Sequence, residues 1–463
     1  MIFLSVLSMP LSLWFLGPSV KYVLPLFEVA DSGFWGYHLF DMKRTLYPAS
    51  IWGQVEIPAS KSQTIHALLI ALFARGVSTI TNPLICADTE ACMDFCTKLG
   101  AKLTYSDRTL VIDSTNLTPR DGIEVDCKNS GTTLYFATAL SCALGNEISF
   151  TGDESLKRRP ARPLLSSLHD LGANVDRDAD TAPYSVCGPL LGGHTSIRCM
   201  TGQYLTALLL ASPLAKQTTT IDVHLLQEKT SVRMTEKWLE TQDIKFFRDD
   251  NMKHYTIGGG QSYKPLQKDI NGDFSLAVFF LCAAAMTGST ITITRLDPKS
   301  SQADRDILPI LKRMGCVIRS DGHSVTLTGP TSRLKATDVD MRGIQDLLPA
   351  LAVTACFASG PVKLINVSHS VVKGTKERSS TIAQAINSLG GQAQVLRDSI
   401  IIYPIQAFSG ADCVDSYGDP RVAMAMALAS LKCTKPLTIE GCECLDSTFP
   451  SFFDKFNSVS LAH

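Results

Sequence analysis

The sequence repeats itself about every 72 residues, and this period restricts the possible folds more than any other feature. Six helix-like segments rich in small apolar residues recur, each followed by a turn and a strand-like run of β-branched residues. Four of the turns contain glycines at intervals of 69, 143 and 72 residues, namely Gly76, Gly145, Gly288 and Gly360. A repeat of this kind is a supersecondary unit that buries its apolar face by packing against its neighbours. Six units therefore predict either one body of six or two bodies of three.

A second series of residues has nearly the same period. Amphipathic helix-like segments end at intervals of 72, 71, 72 and 75 residues, at Gly100, Gly172, Asp243, Gly315 and Gly390. Glycine at such a position permits the left-handed backbone conformation that commonly ends a helix. We expect each unit to read strand, helix, strand, helix, strand, strand, with the first helix apolar on all sides and therefore buried. The predicted fold class is α/β.

Two features predict how the chain divides into domains. The polar residues 267–272 lie between the third and fourth units. The first unit has no strand of its own before Lys61 except residues 51–57, which can pair with the second half of the chain. We expect an upper domain of residues 61–270 and a discontinuous lower domain of residues 46–60 plus 271–463. The chain then crosses between the domains twice.

Residues 1–41 have neither the period nor the helix caps of the rest of the chain. Residues 2–16 are apolar but are interrupted by Pro10, and the first basic residue is Lys21. A secretory signal carries its positive charge before the apolar stretch. We expect this segment to be an extension outside the fold, and a cryptic export signal is the alternative.

The composition argues against several classes of function. Lys and Arg number 43 against 44 Asp and Glu, a net charge of −1, so the chain has no overall positive field for nucleic acid. The 14 cysteines include no CxxC pair, and the nine histidines have no spacing typical of a metal site. We expect free, buried cysteines in a reducing compartment, hence a cytoplasmic protein with no metal and no membrane association.

Polar residues stand at the start of each predicted buried helix. Most of them are ordinary helix N-caps. Two are cations, Lys61 and Arg421, although positive charge at a helix N-terminus is unfavourable. Because helix N-termini bind anions through free backbone N–H groups, we expect these cations to serve an anionic ligand. The six starts are Lys61-Ser62-Gln63, Asn129-Ser130-Gly131-Thr132, Thr201-Gly202-Gln203, Asp273 with Ser275, Asp346, and Asp419-Pro420-Arg421.

At these positions the chain resembles the 5-enolpyruvylshikimate-3-phosphate synthase family, over residues 52–457. Residues 58–65 resemble the family's SKS motif, residues 129–133 its NAGT loop, and residues 157–164 its RERPI segment. Residues 201–209 resemble SSQFLTALL, 419–427 resemble DHRMAMA, and 448–453 resemble TFPDYF. Residues 272–275 and 344–352 match the fourth and fifth helix starts. Eight motifs in order are specific to this superfamily.

The resemblance implies a fold and an activity. The fold is a two-domain inside-out α/β barrel of six βαβαββ repeats, three per domain, with helix N-termini facing an interdomain cleft. The activity is transfer of the enolpyruvyl group of phosphoenolpyruvate to the 5-hydroxyl of 3-phosphoshikimate, with release of phosphate through a tetrahedral intermediate. It needs no cofactor, and we expect a monomer. Two alternatives are a degenerate, non-catalytic homologue that binds an anionic metabolite or a partner, and the sister enolpyruvyl transferase acting on UDP-N-acetylglucosamine.

The resemblance also implies roles for individual residues. Asp346 is the expected base for the 5-hydroxyl, Lys61 contacts both substrates, and Lys373 replaces the family's catalytic lysine by a one-residue slip. The residues expected around 3-phosphoshikimate are Lys61, Ser62, Thr201, Gly202, Gln203, Asp346 and Lys373. The residues expected around phosphoenolpyruvate are Lys61, Asn129, Gly131, Arg159, Gln203, Arg378 and Arg421.

Several residues depart from the family pattern. The family has arginines where this chain has His66 and Tyr135, and a lysine at Ser447. Its catalytic lysine and glutamate align with Gly374 and Thr375. Glu228-Lys229-Thr230-Ser231 replaces a motif that carries a serine for the shikimate phosphate. We therefore predict weaker binding of phosphoenolpyruvate, improving below about pH 6.5, where an unperturbed His66 gains charge. Replacing both His66 and Tyr135 by arginine is expected to recover affinity.

Overall fold

The computed structural model describes residues 43–176, 179–367 and 378–462, and these all belong to one compact unit. The predictions for residues 1–41 and for Lys373, Gly374 and Thr375 lie outside the described residues. Helices and strands alternate along the chain, so the α/β class is confirmed. In the described part of the chain, no helix combines the length and the apolarity needed to cross a bilayer.

The described residues form twelve α-helices. They are α1 Lys61–Phe73, α2 Ala87–Lys98, α3 Gly131–Ser141, α4 Arg162–Asp170, α5 Gly202–Ala211, α6 Lys229–Thr241, α7 Phe274–Thr287, α8 Ile307–Arg313, α9 Leu348–Ala355, α10 Arg378–Ser388, α11 Pro420–Ser430 and α12 Phe452–Ser458. Short 3-10 helices span Leu156–Arg158, Ser212–Leu214, Ala303–Asp306, Gln345–Leu347 and Cys442–Ser447.

The same residues form 25 strands. The first thirteen are β1 Arg44–Leu46, β2 Ala49–Ile51, β3 Gly53–Glu56, β4 Val77–Thr81, β5 Lys102–Ser106, β6 Thr109–Asp113, β7 Ile123–Asp126, β8 Glu147–Thr151, β9 Asn174–Val175, β10 Tyr184–Cys187, β11 Gly193–Cys199, β12 Thr219–Leu226 and β13 Phe246–Arg248. The others are β14 His254–Ile257, β15 Gln267–Asp269, β16 Thr290–Thr294, β17 Val317–Ser320, β18 Ser324–Thr328, β19 Val339–Asp340, β20 Val362–Ile365, β21 Gln392–Val395, β22 Ser399–Tyr403, β23 Val414–Asp415, β24 Leu437–Glu440 and β25 Ser460–Ala462.

Five four-stranded sheets share one topology. In the sheet β7-β8-β10-β9, the first two strands are parallel and joined through α3, and the last two pair antiparallel. The sheets β11-β12-β14-β13 and β19-β20-β22-β21 have the same arrangement. A parallel pair requires a crossover connection, and the small-residue helices provide it. The sheets β15-β4-β6-β5 and β17-β18-β16-β3 also combine one parallel pair with two antiparallel pairs, but their parallel strands come from distant parts of the chain. The smaller sheets are the three-stranded β1-β24-β23 and the two-stranded β2-β25.

Two strands are exchanged between the halves of the chain. β3 precedes α1 but pairs in parallel with β16, and β15 precedes α7 but pairs in parallel with β4. The two connecting segments lie side by side, since Ser60 N donates to Asn271 O at 3.0 Å and Ala59 bridges to Gly272. Gly272 also packs closely against the residue that follows β16, because a Cβ there would lie 2.8 Å from the Arg295 carbonyl oxygen.

The buried residues form two hydrophobic clusters. One contains α1, α3 and α5 together with Ile270, and the other contains α7, α9 and α11 together with Ile57. In α7 every residue from Phe274 to Met286 is buried, as its apolar sequence predicts. The 14 cysteines are free and eleven are buried, which confirms the prediction of unpaired thiols.

Candidate active site

The starts of several buried helices border one cavity of about 230 Å³. Lys61 and Ser62 from α1 and Gln203 from α5 lie on one side, and Asp346 and Arg421 lie on the other. We call the starts of α1, α3 and α5 together with Arg159 the first wall. We call Asp346, Arg378, Asp419 and Arg421 the second wall. The cavity is also lined by Ser60, Glu228, Thr230, Ser231, Met234, Asp273, Ser275, Leu276, Gln302, Ala303, Asp304, Gly343, Gln345 and Thr448.

Lys61 begins α1, and the positive charge there is balanced by a carboxylate. Its Nζ donates to Asp88 Oδ2 at 2.7 Å, and to the Ser447 carbonyl oxygen at 3.3 Å. Asp88, in the first turn of α2, is 4% exposed, and its Oδ1 has no hydrogen-bond partner in the described structure. Sequence reasoning missed Asp88, because an acidic residue in the first turn of a helix is ordinary. The cation at the start of α1 thus has an internal anion beside it.

The residues predicted around phosphoenolpyruvate on the first wall do meet. The Arg159 Nη2 donates to Asn129 Oδ1, and the guanidinium lies against Gly131, where a Cβ would be 2.4 Å from Nη1. Gln203 Nε2 donates to Thr132 Oγ1 at 2.8 Å and so joins this group to the cavity. Burial lowers the pKa of Arg159. Its Nε is buried with no partner among the residues described.

The second wall is a network of ion pairs. Arg378 donates from Nη1 to Asp346 and from Nε to Asp419, both at 2.9 Å, and Arg421 Nη2 donates to Asp346 at 2.5 Å. Burial opposes the charge of Asp419, but Arg378 and Arg421 together hold its pKa below the ordinary value. Burial also opposes the charge of Arg378, and the two aspartates outweigh it and raise the pKa. The Nε of Arg421 is a buried donor without a partner in the described residues.

The position of Asp346 differs in detail from the expectation that it begins a buried helix. It lies in the 3-10 turn Gln345–Leu347 that leads into α9, and Leu347 is the N-cap of α9. Its side chain is 43% exposed, so solvent or a ligand in the cavity can reach it. The 3-10 turn aims the carboxylate at the cavity while both oxygens accept from arginines.

A carboxylate of the protein is bound by two residues that the resemblance places around 3-phosphoshikimate. Thr201 Oγ1 and Gly202 N donate to the same oxygen of Glu228, at 2.8 and 2.9 Å. Although solvent reaches Glu228 along the cavity, surrounding protein desolvates its carboxyl and raises the pKa, against hydrogen bonds that lower it. From the sequence, this segment is distinguished only by the absence of the family's serine. No sequence signal showed that this side chain folds onto α5.

Asp304 is a second acidic residue that the sequence analysis missed. It lines the cavity together with Asp273 and Asp346. Burial, followed by the charges of Asp346 and Asp273, raises the pKa of Asp304. Nothing in its local sequence distinguishes it from a residue in an exposed turn.

The prediction that protonated His66 strengthens ligand binding is wrong. His66 is 1% exposed, and its Nδ1 donates to the Ser62 carbonyl oxygen at 2.7 Å while Nε2 pairs with the Thr235 hydroxyl at 3.0 Å. Its ring lies beside Phe136 and stacks on Trp238. Burial lowers the pKa of His66 to about 4. It therefore stays neutral at pH 6.5 and does not face the cavity.

Tyr135 is also turned into the core. Its hydroxyl donates to the Pro160 carbonyl oxygen at 2.9 Å, and its ring packs edge-on against Tyr204. Arginines at positions 66 and 135 would place guanidinium groups among apolar rings. The structure does not test the double replacement, and its effect on affinity stays a prediction.

Comparison with known proteins agrees with this geometry. The family model for EPSP synthase (3-phosphoshikimate 1-carboxyvinyltransferase) matches residues 47–456. The chain belongs to the EPSP synthase family. A 3-phosphoshikimate 1-carboxyvinyltransferase of Ruminiclostridium cellulolyticum is 34% identical over 413 residues, covering 89% of this chain and 96% of the relative. One from Acetivibrio thermocellus is 38% identical over 406 residues, covering 86% and 94%.

A solved structure shares the fold of this EPSP synthase family member. The EPSP synthase of Acinetobacter baumannii superposes with a TM-score of 0.78 at 22% identity, covering 91% of this chain and 98% of that one. These matches do not favour either alternative, the non-catalytic homologue or the transferase acting on UDP-N-acetylglucosamine.

Proposed function

We propose that this protein transfers the enolpyruvyl group of phosphoenolpyruvate to the 5-hydroxyl of 3-phosphoshikimate and releases phosphate. The observation that carries the proposal is the meeting of Lys61, Gln203, Asp346 and Arg421 around one cavity. These residues come from helix starts far apart in sequence, and each matches a family motif. The relatives, which are 3-phosphoshikimate 1-carboxyvinyltransferases, support the same reaction.

Phosphoenolpyruvate is assigned to the arginine-rich part of the site. It carries a carboxylate and a phosphate, and guanidinium groups bind both in a bidentate manner. Arg159 and Arg421 each keep a buried Nε without a partner in the described structure, and such a donor is costly unless a ligand accepts from it. We assign Lys61, Asn129, Gly131, Arg159, Gln203, Arg378 and Arg421 to this substrate.

3-Phosphoshikimate is assigned to the remaining polar residues of the cavity. Ser62 lies next to Lys61 in the first turn of α1, where a hydroxyl can donate to the shikimate carboxylate. Thr201 and Gly202 offer a hydroxyl and a backbone N–H at the start of α5, a favourable place for a phosphate. We assign Lys61, Ser62, Thr201, Gly202, Gln203, Asp346 and Lys373 to this substrate.

The reaction proceeds by addition and then elimination. Asp346 accepts the proton of the 5-hydroxyl, and the hydroxyl oxygen forms a bond to C2 of phosphoenolpyruvate. An ammonium group, from Lys61 or Lys373, gives a proton to C3, which becomes a methyl group in the tetrahedral intermediate. The resulting neutral amine then takes a proton back from the methyl group, phosphate leaves from C2, and the enol ether forms. Asp88, 2.7 Å from Lys61 Nζ, holds the side chain of Lys61 in position.

The finer architecture is part of the same proposal. We assign three repeats to residues 61–270 and three to residues 46–60 plus 271–463, arranged as two inside-out barrels with the cavity between them. The two hydrophobic clusters and the two exchanged strands support this division. The free and mostly buried thiols support a cytoplasmic location. A monomer is expected.

The test is phosphate release from the purified protein with both substrates present. We expect steady release that requires both phosphoenolpyruvate and 3-phosphoshikimate, with the enolpyruvyl product identified by mass spectrometry. Release without 3-phosphoshikimate would indicate a phosphatase contaminant. No product with both substrates, from a protein that is folded by circular dichroism, would refute the proposed function.

A further inference from the structure

Glu228 holds the donors that the proposed function assigns to a substrate phosphate. Thr201 Oγ1 and Gly202 N both donate to Glu228 Oε2, at 2.8 and 2.9 Å. The start of α5 therefore already binds an anionic oxygen, and that oxygen belongs to the protein itself. A phosphate oxygen and a carboxylate oxygen accept from such donors in the same way, so the two groups cannot share them.

The backbone around Glu228 is built for this contact. Glu228 has φ of 59°, a left-handed conformation that is uncommon outside glycine, asparagine and aspartate. Gly202 permits the close packing, because a Cβ there would lie 2.4 Å from Ser231 Oγ and 3.0 Å from the Glu228 carbonyl oxygen. A serine at position 202, as in the family motif, would collide with the segment 228–231 unless the segment moved.

A further contact fixes this segment from the other side of the cavity. Thr230 Oγ1 donates to the Gly343 carbonyl oxygen at 3.2 Å, and Gly343 lies three residues before Asp346. The charge of Asp346 disfavours ionised Glu228, while Arg378 favours it. A bound phosphate dianion would add further repulsion to a carboxylate already near another carboxylate.

We propose that Glu228 competes with the phosphate of the acceptor substrate for Thr201 and Gly202, and thereby determines how strongly the site prefers a phosphorylated acceptor. This inference rests on the proposed function for the identity of the acceptor. Before 3-phosphoshikimate binds with its phosphate at the start of α5, the Glu228 side chain must leave these donors. The phosphate therefore contributes less affinity here than its charge and donors would otherwise give.

The test compares equilibrium binding of 3-phosphoshikimate and of shikimate, which lacks the phosphate, by calorimetric titration. Glu228→Gln removes the charge with little change of shape, and Glu228→Asn also shortens the side chain and suits the left-handed backbone. We expect both variants to bind 3-phosphoshikimate roughly tenfold more tightly than the unchanged protein, because a charge-assisted competitor is lost. Binding of shikimate should not change.

Glu240→Gln is the matched control, since Glu240 lies on the exposed face near the end of α6 and its replacement removes the same charge. It should alter neither affinity. Equal tightening of both ligands, equal tightening in the control, or no tightening in Glu228→Gln and Glu228→Asn would overturn the inference. Absence of 3-phosphoshikimate binding in all variants would also overturn it.

The outcome is independent of turnover. If phosphate release fails but Glu228→Gln still tightens 3-phosphoshikimate alone, the proposed function is lost and the competition stands. If the protein releases phosphate and the two ligands respond equally to the change, only the role of Glu228 is lost.

Discussion

The two walls of the cavity hold their charged groups in different ways. On the second wall, Arg378, Arg421, Asp346 and Asp419 form one continuous network, and each matches its family motif in residue type. The first wall is less interlocked. Lys61 forms an ion pair with Asp88, Arg159 donates to the neutral side chain of Asn129, and the donors Thr201 and Gly202 are held by Glu228. We infer that changes on the second wall affect folding and chemistry together, whereas changes on the first wall mainly affect ligand affinity.

The largest expected effect comes from Asp346 on the second wall. Asp346→Asn keeps the shape of the side chain but removes the proposed base, and general-base catalysis is worth about 10²–10⁴-fold in rate. We expect kcat to fall by that factor, with a small change in the KM of either substrate. The measurement is steady-state phosphate release.

Asp412→Asn controls for the loss of one charge, because Asp412 is exposed and does not line the cavity. It should leave kcat unchanged. Full turnover by Asp346→Asn would show that Asp346 is not the base. It would also contradict the inference that changes on the second wall affect the chemistry.

The next effect concerns stability. Arg378→Met leaves the Asp419 carboxylate, 4% exposed, without its main cation, and breaking a buried ion pair costs about 3–5 kcal/mol. We expect the free energy of unfolding, measured by urea titration, to fall by about this amount. Arg342→Met breaks the exposed pair with Asp340 and should cost less than about 1 kcal/mol. Equal losses in the two variants would show that the second wall is not interlocked.

The third effect tests the buried histidine behind the first wall. The folded pKa of His66 is about 4, below the unfolded value near 6.5, so the unfolded chain binds more protons between these pH values. The contribution of neutral His66 to the free energy of unfolding is therefore fully present above pH 6.5, and it is lost as the pH falls toward 4. The loss should reach about 2 kcal/mol at pH 5 relative to pH 7.

His66→Gln should remove that part of the pH dependence, as measured by urea unfolding at pH 5 and pH 7. His169→Gln is the control, because His169 is exposed at the end of α4. If His66→Gln and the unchanged protein lose stability equally on acidification, His66 is not buried as a neutral ring. That result would support the expectation that His66 lies at the ligand site.

The sequence predicted the fold well because the fold depends on local periodicity. The 72-residue period, the glycines at helix ends and the apolar helices all have local signals, and the structure has buried helices and alternating strands where they were expected. Lys61, Gln203, Asp346 and Arg421 were expected near one ligand site and line one cavity.

What the sequence did not predict depends on side-chain direction and on contacts between distant segments. His66 was expected at the ligand site because the family has an arginine at this place in the motif. Five residues along a helix is a rotation of about 140° from Lys61, however, and this turns the ring into the core. Asp88 reaches Lys61 from another helix. Glu228 reaches the start of α5 only because its backbone is left-handed and position 202 is glycine, and neither property is visible in a local pattern.

The smallest expected effect probes how closely the first wall is packed around its ligand. A Cβ on Gly131 would lie 2.4 Å from Arg159 Nη1, so Gly131→Ala requires the guanidinium to shift. The atom in conflict is the far end of a flexible side chain, and the fold should tolerate the shift without measurable loss of stability. The guanidinium of Arg159 is then less well placed to donate to phosphoenolpyruvate. Weakening such a charge-assisted hydrogen bond matters because one is worth about 1.5–3 kcal/mol. We expect the KM for phosphoenolpyruvate to rise roughly tenfold, while the KM for 3-phosphoshikimate stays within about twofold.

Gly145→Ala is the matched control, because Gly145 lies just beyond the end of the same helix and an added Cβ there meets nothing within 4 Å. An unchanged KM for phosphoenolpyruvate in Gly131→Ala would show that Arg159 does not bind this substrate, and would leave the second wall as the part of the site that holds it.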